Sequence, residues 1–170
     1  MAANLVYKEE NDTTDPETIL NLEIIDKILT NIKLIQFSIN RADEERQEFL
    51  KTNDMQVETN KKNSISELTV EISGKINSTS KMITEMKNEC NRRAEEIKMS
   101  MMANAELRIE NTIVSVFQAK LYELIKASSK LQLDVKDSYQ NKMKRQLAVH
   151  APNSTEEQME ELMSKPEVIL

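Results

Sequence analysis

Ile65-Ser-Glu-Leu68-Thr-Val-Glu-Ile72-Ser-Gly-Lys-Ile76-Asn-Ser-Thr79-Ser-Lys-Met-Ile83-Thr-Glu-Met86-Lys-Asn-Glu-Cys90-Asn-Arg-Arg-Ala94-Glu-Glu-Ile97 is a single uninterrupted pattern. Its apolar and small residues recur at steps of 3, 4, 4, 3, 4, 3, 4, 4 and 3. That spacing is the period of an α-helix with one face turned to a core, drifting between seven- and eleven-residue phasing. A helix this long with only one apolar face cannot stand alone and must lie against other helices. Gly74 falls inside it and costs about 1 kcal/mol relative to Ala in a helix interior; a close helix approach or simple tolerance would each account for it.

Two more patterns flank the first. Upstream, Ile25/Ile28, Ile32/Ile35, Ile39/Ala42 and Arg46/Phe49 repeat over four heptads, and Leu22 and Leu29 widen the stripe on one side. A face broader than a two-position seam suits a helix packed against two neighbours. Thr14 or Asp15 can cap this helix, with Pro16 at its first position. Downstream, Leu107, Val114, Phe117, Leu121, Leu124, Ser128, Leu131 and Val135 form a third stripe, continuing less strictly to Met143 and Leu147. The separators are Lys51-Thr-Asn-Asp54 and a poorly marked turn within 98–104, where Ser100 or Asn104 would cap the next helix.

The expectation is an all-α fold: an elongated, antiparallel, up-down-up three-helix bundle over 16–150, with helices near 16–52, 58–98 and 103–149. Residues 1–15 read as a disordered N-terminal segment. Residues 151–170 read as a linker in which Ser154 or Thr155, with Glu157 behind, caps a short fourth, acidic helix carrying Met159, Leu162 and Met163. Composition agrees. The 170 residues include one Gly, three Pro and no Trp, with 31% charged and 39% hydrophobic residues. Sheet-based folds need turn glycines that are missing, and this hydrophobic content supports a thin core rather than disorder.

Several function classes drop out. His150, the single histidine, stands at a helix end beside Pro152, without an orienting partner for catalysis or metal binding. No Gly-rich phosphate loop, nucleophile elbow or paired-His motif occurs, so neither enzyme chemistry nor a cofactor is expected. Cys90, the one cysteine, lies on the apolar stripe and reads as a core thiol; a disulfide framework is absent, which suits a reducing compartment. The net charge is −6, and no dense basic stripe marks a nucleic-acid binder. No apolar run approaches membrane-spanning length.

What remains is protein binding. Met82, Met86 and Met143 fit core or near-core positions, while Met99, Met101 and Met102 cluster at the second turn. Ile109, Ile113 and Val116 lie beside the third stripe, not on it. With Met82 they would line a groove between the second and third helices, suited to an additional amphipathic helix. Two other readings stay open: a structural helical spacer of the spectrin-repeat kind, and a membrane-surface binder using the basic third helix. The first lacks core tryptophans. The second lacks a basic face opposed to an exposed apolar one, since Lys120, Lys126, Lys130 and Lys136 are interspersed with Glu123, Asp134 and Asp137.

Ala105-Glu-Leu-Arg-Ile-Glu-Asn-Thr112 resembles the A-D-L-R-I-R-x-T that opens the third helix of syntaxin regulatory domains. Lys120-Leu-Tyr-Glu123 stands where that family has K-F-x-E. Gln132 and Asp134 match Q-x-D, Arg145-Gln146-Leu147 match R-Q-L, and Glu156 and Glu157 fall in the acidic linker helix. The chain departs from the pattern at Ser128 and Val135, where tyrosines are frequent, and at Gln158-Met159, where leucine-glutamate is usual. The resemblance implies a regulatory domain of a Qa-SNARE in vesicle docking and fusion, whose partners are its own SNARE-motif helix, other SNAREs and SM proteins of the Sec1 type. It implies a place on the cytoplasmic face of a membrane, attached only through a C-terminal anchor beyond these residues, so that the chain is a soluble fragment or an anchor-less relative.

Overall fold

The computed structural model describes residues 16–96 and 101–150. Three helices make up the fold: α1 (Pro16–Lys51), α2 (Met55–Glu96) and α3 (Met101–His150). Each packs on the other two, and short connections make neighbours antiparallel, so α1 and α3 run the same way. Among the described residues there are no strands. The expected fourth helix, with Met159, Leu162 and Met163, and the N-terminal segment 1–15 lie outside the described residues.

The core is the three stripes brought together. Ile28, Ile35, Ala42 and Phe49 from α1 meet Ile65, Ile72, Thr79, Ile83 and Cys90 from α2, and Val114, Phe117, Leu121, Leu124 and Leu131 from α3. Thr79, polar but fully buried, satisfies its hydroxyl by donating to the Lys75 carbonyl at 2.7 Å. Isoleucines and leucines at three-four spacing interlock because side chains three and four apart sit on one helix face.

The boundaries follow from caps. Asp54 is the N-cap of α2: its Oδ1 accepts from the backbone N–H of Gln56 at 2.8 Å and of Val57 at 3.2 Å. The helix therefore starts at Met55, three residues before the expected 58, because Asp54 acts as a cap rather than as loop. At the second turn, α3 is already helical at Met101, so Asn104 is inside the helix and not its cap.

Ion pairs hold the ends in register. Lys61 of α2 pairs with Glu45 of α1 at 2.8 Å and also with Glu48. At the opposite end Arg93 of α2 reaches Glu110 of α3 at 2.6 Å. The α2 seam thus passes through Arg93 at its end; Ala94, which the periodicity places on the stripe, is exposed. Gly74 is exposed too, and a Cβ built on it meets nothing within 4 Å. Close helix approach is not its reason.

Candidate helix-binding surface

The buried positions of α3 recur at strict heptad spacing, as Val114, Leu121, Ser128 and Lys142 in one row and Phe117, Leu124, Leu131 and Ser138 in the other. A strict seven-residue repeat keeps each flank of a helix facing the same neighbour along its length. The flank facing α1 is marked at the far end. Ser138 accepts a hydrogen bond from Arg46 of α1 at 3.1 Å. Asp134, Asp137, Asn141 and Lys144 line a polar groove with Arg46 and Leu50; the Asp43 carboxyl beside it, which burial alone would raise, is held below its ordinary value by Arg46 and Gln47 and, least, by Lys130 of α3. The opposite flank faces α2, where Gln146 donates to Glu58 at 3.4 Å and Lys62 sits 5.9 Å from the Tyr139 ring.

This register places the sequence-predicted residues. Ile109, Ile113 and Val116 stand four heptads before Asp137, Asn141 and Lys144. By that register they fall on the flank of α3 turned to α1, whereas the expected groove lies between α2 and α3. Ile109 and Val116 are 62% and 58% exposed, whereas Ile113 is half-buried against the core. Ile109 and Ile113, with Ala105, Arg108 and Thr112, line a shallow, mostly apolar depression. Met82 does not join them. It packs partly buried against the core from α2.

Two residues at the rim differ from their sequence reading. Leu22 and Leu29 share the heptad row of Asp43 and Leu50, the α1 flank turned to α3, and they are 56% and 40% exposed. They are exposed instead of widening the core. On the α2 side of α3 the corresponding row is Asn111, Gln118, Ile125, Gln132, Tyr139 and Gln146, mostly polar. Its apolar surface is confined to Ile125 and neighbouring Tyr122, whose ring carries Lys126 at 4.6 Å. Periodicity marks these as off-seam but cannot tell which neighbour the flank faces.

The remaining reactive groups are structural. The Cys90 thiol is buried; burial first, then the Glu110 carboxylate 3.6 Å away, pushes its pKa up, so it stays protonated and unreactive at neutral pH. Among the described residues no group of His, Cys, Asp and Glu could hold a metal ion, and no helix is long and apolar enough to cross a membrane.

Among the described residues Lys142 is a buried cation. Its Nζ donates to the carbonyl oxygens of Phe49 at 2.6 Å and Thr52 at 2.7 Å, pairs with Glu58 at 3.2 Å, and lies 4.3 Å from the Phe49 ring centroid. It thereby serves carbonyls at the C-terminal end of α1, which lack helical partners. Phe49 and Tyr139 close this end with an edge-on contact at 4.8 Å. Sequence reading passed over Lys142 and Ser138 because a hydrophobicity stripe registers only apolar residues, although both fall on the heptad frame.

The described residues present a finished core and an apolar row left outside on one flank of α3. Comparison with known proteins fits that description. The sequence model of the family described as Syntaxin matches residues 20–168, nearly the whole chain. No curated protein matches it.

Proposed function

The chain belongs to the syntaxin family, a family of non-enzymatic SNARE proteins, and from that premise we propose that its bundle is the regulatory N-terminal domain of a syntaxin-like SNARE. It acts in vesicle docking and membrane fusion by holding a SNARE-motif helix, its own or a partner's, and so controlling when SNARE complexes assemble. A Sec1-type SM protein is the second partner, engaging the bundle or the acidic segment with Met159, Leu162 and Met163. In the full-length protein this takes place at the cytoplasmic face of a membrane.

One observation supports the binding surface above the others. Ile109, Ile113 and Val116 repeat at i, i+4 and i+7 on a helix whose seam is already filled by other residues. Such a row offers an amphipathic helix three anchors without disturbing the bundle. A helix tethered nearby would occupy it through effective concentration even at modest intrinsic affinity.

The test is a heteronuclear NMR titration of the chain with a synthetic syntaxin SNARE-motif peptide. Amide shifts centred on Ile109, Ile113 and Val116 are expected, and Ile109→Ser with Val116→Ser should weaken binding roughly tenfold or more. Shifts limited to the outer face of α1, around Leu34 and Phe37, would sink the assignment.

A further inference from the structure

We draw no further inference here: the strongest candidate, the apolar surface row of Ile109, Ile113 and Val116 near the start of α3, belongs to the site already described, and nothing in the structure shows what else covers it.

Discussion

Gly74 sits in the middle of a 42-residue helix with empty space where a Cβ would be. Nothing in the packing needs glycine there, and its backbone freedom only adds entropy to the unfolded chain. Gly74→Ala should raise stability by about 0.5–1 kcal/mol, read as a higher denaturation midpoint with unchanged slope. A drop would mean that something approaches α2 at this point. Cys90 is the reverse case, a residue whose neighbours leave it no freedom. With its thiol buried and pushed toward the protonated form by burial and Glu110, reaction with a water-soluble disulfide reagent at neutral pH should be at least a hundredfold slower than for the unfolded chain. Labelling that proceeds at the unfolded rate in native buffer would show that the α2–α3 end opens readily. The helical period assigned Cys90 to the core correctly. It was silent on Gly74, because a periodicity locates a position on a helix and says nothing about what lies across from it.

Between elements the informative residue is Lys142, which joins the end of α1 to the beginning of α2 from the last third of α3. Removing it leaves Glu58, itself largely buried, without its cation and two carbonyls without a donor. Breaking one partner of such a buried pair costs about 3–5 kcal/mol. Lys142→Met should therefore lower the melting temperature by roughly 10 °C, and adding Glu58→Gln should recover part of the loss. A change under about 2 °C would show the contact to be incidental. Asp54→Ala, which deletes the α2 cap, should cost about 1 kcal/mol and act independently of Lys142→Met. The three elements were legible because each buried stripe is long and keeps its period, so the bundle follows from residues such as Ile28, Ile72 and Leu124. Lys142 and Ser138 were not, since their contribution lies in which carbonyls and side chains they meet. The side of α3 that carries Ile109, Ile113 and Val116 was not legible either. A stripe defines a seam but not the hand of the bundle, and only cross-helix pairs such as Arg46 with Ser138 decide which flank faces α1.

Across the whole molecule the two ends are built differently. One end gathers Lys142, Glu58, Lys61, Glu45, Phe49 and Tyr139 into ion pairs, backbone caps and an aromatic contact. The other end is tied across helices by Arg93 and Glu110 and leaves Leu22, Ile109 and Val116 largely in solvent. Local opening is easiest where few groups are buried and the backbone is solvated. Native-state amide exchange should accordingly be slowest in α3 around Leu124–Tyr139 and faster, by one to two orders of magnitude, over Leu107–Ile113. The contrast has a functional consequence. A binding row on the looser end can adjust to an incoming helix while the Lys142 end keeps the three helices in register, so binding should slow exchange over Leu107–Val116 and leave the Lys142 end nearly unchanged. Uniform exchange along α3 in the free chain would remove the basis for that division. Protection spreading equally to both ends on adding a SNARE-motif peptide would instead mean that the bundle responds as one rigid body.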